Sequence, residues 1–153
     1  MHLARRRVAQ HTCSGASLRP TGDRHTLKPT MANIPAPGLL RSIDGLDDSD
    51  LKLKLRTAGV VVDRSESHSS IVLRSDSACL IVDCTIPMAA DSLSNYLPRL
   101  TNRLIVLGYL RLATNEETRR HKPFACKYSL EALIVKQAPG LNLLAWEESL
   151  VVD

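Results

Sequence analysis

Aromatic side chains are scarce in this 153-residue chain: one Trp, one Phe and three Tyr, 3% of the total. That excludes a dense base-stacking platform, which needs several flat rings on one surface. Seven Gly and eight Pro are too few for a collagen-like or low-complexity chain. No apolar run reaches the roughly 20 residues of a membrane-spanning helix, so no membrane partner is expected. The four cysteines, Cys13, Cys79, Cys84 and Cys126, form no C-x-x-C pair, and no His stands at zinc-finger spacing from them. No metal or other cofactor is therefore expected. Cys79, Cys84 and Cys126 sit in apolar runs and read as buried, reduced thiols. A phosphate-cradling glycine loop and a nucleophile motif are also missing. Asp76, Asp83 and Cys84 could be combined on paper with His68 and His121, but nothing in the spacing brings them together. The chain is read as a non-enzyme with no small-molecule substrate.

What the chain does have is apolar residues enough for a core, 44%, against 24% charged. Its net charge of +4 is unevenly placed. Residues 1–30 carry Arg5, Arg6, Arg7, Arg19, Arg24 and Lys28 against Asp23 alone, a net of +5, so the remainder is close to neutral at −1. A bulk nucleic-acid footprint on the folded part does not follow from charge, and weak single-strand binding by the lone chain is expected. Residues 1–30 lack apolar periodicity and read as a disordered basic tail, or as an extension upstream of Met31. Their Arg-rich, acid-poor composition also suits a mitochondrial transit peptide. Residues 31–50, punctuated by Pro and Gly and acidic at the end, read as an extended lead-in, and residues 51–153 as the folded domain.

Within that domain, Leu51, Leu53 and Leu55 alternate with Lys52, Lys54 and Arg56, the period of a half-buried strand. After Arg56 the apolar parity passes to Ala58, Val60 and Val62, which predicts a bulge at Gly59 in a long, bent strand. Asp63 to Ser69 reads as a polar hairpin loop. Ile71–Arg74 and Ala78–Cys84 read as strands joined by Ser75-Asp76-Ser77. The period then changes: Leu93, Tyr96, Leu97 and Leu100 stand at helical spacing, Thr85 or Pro87 can open a helix and Pro98 should end it, predicting a helix over 87–97. Leu104, Val106, Gly108, Leu110 and Leu112 form the inner face of a fourth strand. Residues 114–123 read as a polar loop. Tyr128, Leu130, Ala132 and Ile134 line a fifth strand, and Leu141–Val151 reads as a helix with Asn142 as N-cap. A mainly β chain of five strands, with a bent first strand, a helix between strands three and four and a C-terminal helix, describes an OB-fold barrel.

Two surfaces stand out as binding candidates. The outer face of the fourth strand carries Arg103, Ile105, Leu107, Tyr109 and Arg111, cations flanking an aromatic and two aliphatics, which suits tracking a nucleic-acid backbone. Arg119 and Arg120, with His121 and Lys122, occupy the loop between strands four and five, which often touches ligand in OB folds. In the last helix, Leu143, Trp146 and Leu150 share one side, Leu144 and Val151 adjoin it, and Glu147 projects between them. So broad an apolar arc with a carboxylate at its centre predicts a two-sided helix, one side on the barrel and the other on a partner. Trp is enriched among interface anchors.

The stretch Leu55-Arg56-Thr57-Ala58-Gly59, the run Leu104 to Leu110 and the ending Gly140-Leu141-Asn142-Leu143 followed by Glu147 carry a family likeness. With the lead-in Pro35-Ala36-Pro37-Gly38, and in this order, they resemble the smallest, single-OB-fold subunit of the telomeric CST complex, the Ten-one family. The resemblance covers about Met31 to Leu150. It implies a heterodimer with the larger OB-fold subunit, Stn-one, and through it the full CST complex. It further implies telomere capping in the nucleus, modest binding of single-stranded telomeric DNA and support of fill-in synthesis. Arg56 and the C-terminal helix are implied as the partner contacts. A replication protein A-like small subunit and a mitochondrial single-strand-binding protein are the alternative readings.

Overall fold

The computed structural model describes residues 37–90 and 97–150, all within one compact unit, Ala36–Asp153. The expected tail, residues 1–30, and Leu93 and Tyr96 of the expected helix lie outside the described residues. The strands are β1 (Leu39–Leu40), β2 (Lys54–Ser65), β3 (Ser70–Arg74), β4 (Cys79–Asp83), β5 (Arg103–Leu112) and β6 (Tyr128–Gln137). The helices are α1 (Thr85–Ala89), α2 (Asn115–Arg120) and α3 (Leu143–Leu150). β1 is a short edge strand lying parallel to β2. The other five close into the expected barrel. β2 pairs antiparallel with β3 and also with β5, β5 pairs with β6, and a parallel β4–β6 pairing completes the circuit. Leu55, Val61, Ile71, Leu73, Leu80, Val82, Leu104, Val106, Leu110 and Leu130 fill its interior, as in small barrels whose lumen is a packed core.

The bend in β2 is where it was expected, but its mechanism differs. Up to Val60 the strand pairs with β5, and from Val60 onward with β3. Gly59 sits at that handover, where a Cβ would lie 3.0 Å from the Arg74 carbonyl oxygen and 3.1 Å from Leu73 Cβ. Gly59 thus permits close approach and is not a bulge. The inward parity stays odd through Leu55, Thr57 and Val61, and the register slips only between Val61 and Asp63. β2 also starts later than its alternation suggests. Asp47 and Asp50 form a capping box around a 3-10 turn, Asp48–Asp50, and Lys52 has φ 66°, so Leu51–Leu53 cannot continue an extended path. At its other end β2 runs to Ser65 and turns through a 3-10 helix, Glu66–His68, in place of the long polar loop.

Four further expectations are corrected. The helix before β5 opens at Thr85, one of its two expected starts, whose backbone N–H and hydroxyl both donate to Asp83, but it ends early, at Ala89. Of the predicted span 87–97 only residues 87–89 are helical among the described residues. The polar loop 114–123 contains α2, because Thr114 and Glu117 form a reciprocal capping box. In β6 the alternation fails at Leu133: Leu107 pairs with Ile134 but Gly108 pairs with Ala132, leaving Leu133 as the extra residue. Val135 therefore points inward, and Ile134, expected in the core, is 47% exposed. Leu112, expected on the inner face of β5, is likewise exposed at the barrel end.

Candidate partner face and nucleic-acid contacts

An OB barrel commonly takes oligonucleotides on the outer face of its second and third strands, flanked by the loops after the first and fourth. Here those strands are β3 and β4. Their outward residues, Val72 and Ile81, are fully buried under Cys126, with Phe124, Ala113, Val62 and Cys79 packed around them. The segment between β5 and β6 is thus a lid seated on that face. Arg111 anchors it by donating from Nη1 and Nη2 to the two carboxylate oxygens of Glu117, at 2.9 and 2.6 Å. This bidentate pair holds the Glu117 carboxyl down to about 2.

His121 fastens the end of α2. Its Nδ1 lies 2.9 Å from Asp63 Oδ2 and its Nε2 lies 2.8 Å from Ser70 Oγ. A carboxylate only accepts, so Nδ1–H donates to Asp63 and Nε2 accepts the Ser70 hydroxyl. The order Ser-His-Asp is that of a hydrolytic relay. Ser70, however, is 3% exposed and His121 0%, so no substrate carbonyl reaches Ser70 Oγ without opening the fold. The arrangement is a buried clasp joining β2, β3 and α2. Sequence spacing could not reveal it, since 51 residues separate Ser70 from His121. Cys84 and Cys126 are buried free thiols pushed up to about 12, chiefly by burial, as their apolar surroundings suggested.

The opposite outer face, formed by the first half of β2 with β5 and β6, is only partly covered: Ala58 and Leu107 are buried on it, while Tyr109, Glu131, Ile134 and Lys136 are exposed. Across it run the rows Lys54–Tyr109–Glu131, Arg56–Leu107–Ile134 and Ala58–Ile105–Lys136. α3 lies over this face. Asn142 accepts the Ala145 N–H at 3.2 Å as the expected N-cap, and Arg103 Nη1 donates to the Leu141 carbonyl at 2.7 Å. Between helix and sheet is a groove of about 250 Å³ lined by Arg56, Ile105, Leu107, Ile134, Lys136 and Trp146. The indole N–H of Trp146 is buried there without a hydrogen-bond partner among the described residues.

α3 has no fully buried residue. Leu143, Trp146, Glu147 and Leu150 are half-buried, and Leu144 is 66% exposed. The structure thus brings Arg56 and Trp146 to one groove, turns Leu144 outward, and leaves Glu147 without a cation among the described residues. Burial, then the charges of Asp44 and Asp76, raise the Glu147 carboxyl above its ordinary range.

The residues singled out for nucleic acid are dispersed. Arg103 and Tyr109 are exposed on the partly covered face, and Arg119 is exposed on α2. Arg111 is held by Glu117, and Arg120 pairs with Glu116 at 3.1 Å. The groove's floor residue Ile134 and its rim residue Lys136 escaped the sequence reading because the Leu133 bulge, invisible in the alternation, turns them outward.

A closed five-stranded OB barrel with a covered ligand face and a C-terminal helix over a partly covered one is the class defined by this geometry. No family model matches the chain, and no curated protein matches it. By fold it is similar to a chain of the crystal structure of the S. pombe Stn1–Ten1 complex, with 17% identity, 76% of this chain and 90% of that one covered, and a TM-score of 0.54. It is also similar to the S. pombe telomere capping protein Ten1, with 18% identity, 72% and 91% covered, and a TM-score of 0.51.

Proposed function

We propose that this chain is the small, non-catalytic OB-fold subunit of a telomere-capping complex of the CST type, working in the nucleus at chromosome ends. It pairs with a larger OB-fold subunit of the Stn1 kind, and through that subunit contributes to capping and fill-in synthesis. One observation carries the reading. The fold likeness extends over nine-tenths of a chain from a Stn1–Ten1 structure, while the usual OB ligand face is sealed and the face under α3 stays partly open. A barrel that has closed its own ligand face and left an apolar groove beside an amphipathic helix is shaped for a protein partner first and for nucleic acid second. In this reading Arg56, Leu143, Leu144, Trp146, Glu147 and Leu150 form the partner contact. Arg103, Tyr109 and Arg119 remain available to a single strand, and Arg111 and Arg120 can join only by leaving their carboxylates.

The test is affinity purification of the full-length chain from nuclear extract. A larger OB-fold protein of the Stn1 kind as the heaviest specific partner is the expected result. Recovery of replication protein A subunits, or a mitochondrial location for the chain, would refute the assignment.

A further inference from the structure

The rim of the barrel carries a second cleft, of about 330 Å³, lined by Thr101, Asn102, Arg103, Gln137 and Pro139. Each lining side chain except that of the proline offers a hydrogen-bond donor, and none is a carboxylate. The cleft is built into the backbone. Thr101 has φ 71°, an uncommon conformation for a β-branched residue. Three bonds hold it: Thr101 N–H to the Val61 carbonyl at 2.8 Å, Val61 N–H to the Asn102 carbonyl at 2.9 Å, and Asn102 N–H to the Arg99 carbonyl at 3.2 Å. Gln137 reaches the rim by pairing with Leu104, the first inward residue of β5. Arg103 is oriented by its bond to the Leu141 carbonyl, and its remaining N–H groups have no partner among the described residues.

Cations flank the cleft, with the nearest carboxylates, Asp44 and Asp76, lying on the far side beside Arg74. Arg99 lies two residues before Thr101, and Lys136 lies beside Gln137. Arg74 stands across Val60 from Arg103 in the same sheet row, about 10 Å away at two strand spacings. None of these four cations has a carboxylate partner among the described residues, whereas Arg41, Arg64, Arg111, Arg120 and Lys127 all do. We propose that this cleft binds a backbone phosphate of single-stranded nucleic acid. A phosphodiester offers only acceptors and suits a cleft furnished with donors and no carboxylate. A succession of phosphates uses several spaced cations, where one peptide carboxylate needs a single one. Sitting where α3 begins, the cleft would receive a strand passing beside the partner groove. The proposal deepens the reading of the chain as part of a single-strand-binding complex and rests on it.

The test uses the full chain with a fluorescently labelled single-stranded oligonucleotide, titrated at two salt concentrations, so that residues 1–30 contribute equally to every variant. Gln137→Glu puts a carboxylate in the cleft and leaves the Arg103–Leu141 bond alone. It should weaken binding by about fivefold or more at low salt. Arg103→Ala should lower the logarithmic salt slope by about 0.7, the loss of one phosphate contact. Ser67→Ala, an exposed residue on the 3-10 turn after β2 and outside the cleft, should bind within about twofold of the parent. An oligonucleotide affinity indifferent to Gln137→Glu overturns the proposal. So does a poly-glutamate peptide that binds as tightly and is weakened equally by the same change, which would make the occupant an acidic protein. Melting of Gln137→Glu and its capture of a Stn1-type partner are measured in parallel. If both are normal while DNA binding falls, the cleft is assigned. If partner capture fails for the parent chain itself, the wider functional reading fails, whatever the cleft does.

Discussion

Leu144 offers the sharpest handle on the partner face. At 66% exposed it is the most solvated large apolar side chain among the described residues, and its loss should leave the monomer within about 0.5 kcal/mol of its parent stability. Burying a whole Leu side chain contributes about 1.5–3 kcal/mol. Two-thirds of that surface is still open here, so a partner that covers it gains about 1–2 kcal/mol. Leu144→Ala should therefore weaken the heterodimer by roughly 5- to 30-fold, with no change in melting temperature. Leu144→Asp should do more, because an unpaired carboxylate would then be buried at the interface. Trp146→Ala is the contrasting variant. Trp146 lies on the sheet side of the helix, against Ile105, Leu107 and Ile134, so its loss should loosen α3 as well as weaken binding, while the barrel, whose core holds no residue of α3, stays folded. Calorimetric titration against a Stn1-type subunit, with thermal melts of each variant, reads both effects. Parent-like affinity for Leu144→Ala and Leu144→Asp alike would show that the outer side of α3 meets no partner.

Other consequences follow from single sites. Glu117 is held down to about 2 by Arg111, against an ordinary value near 4.5. Its contribution is therefore present above about pH 4.5 and is lost as pH falls through about 2. Discounted for partial exposure, Glu117→Gln should cost about 1–2 kcal/mol at pH 7, and the gap between variant and parent in urea melts should close near pH 2; a gap that persists there would deny the ion pair its role. Gly108→Ala would drive a Cβ into the Glu131 carbonyl group, with the carbonyl carbon at 2.8 Å and Ala132 Cα at 2.9 Å. Because backbone cannot yield as a side-chain tip does, β5–β6 pairing should fail and soluble folded protein be lost; an Ala variant that melts like the parent would refute the close approach. His121→Ala leaves the Ser70 hydroxyl buried without its partner and should lower stability by about 1–3 kcal/mol, seen as faster proteolysis of residues 113–127; unchanged protection there would mean the clasp does not hold the lid.

The alternation of Leu104 to Leu110, the breaks at Ser75–Ser77 and Pro139-Gly140, and the change of period after β4 were enough to determine strand order and barrel class, because each is a local pattern set by side-chain hydrophobicity. The N-cap at Asn142 was equally local. The capping box of Thr114 and Glu117 was also present in the sequence, but the polar residues around it masked the helix. Tertiary structure decided the rest. Ile134 points outward and Val135 inward because β6 carries one residue more than β5 at Leu133, a mismatch that exists only when two strands are laid side by side. Gly59 is needed because Arg74 and Leu73 crowd it from another strand. The sealing of the β3–β4 face depends on Phe124 and Cys126 returning across some fifty residues of chain. The groove joins Arg56, Leu107, Ile134 and Trp146 from four separate elements, and no spacing along one chain encodes a meeting of that kind.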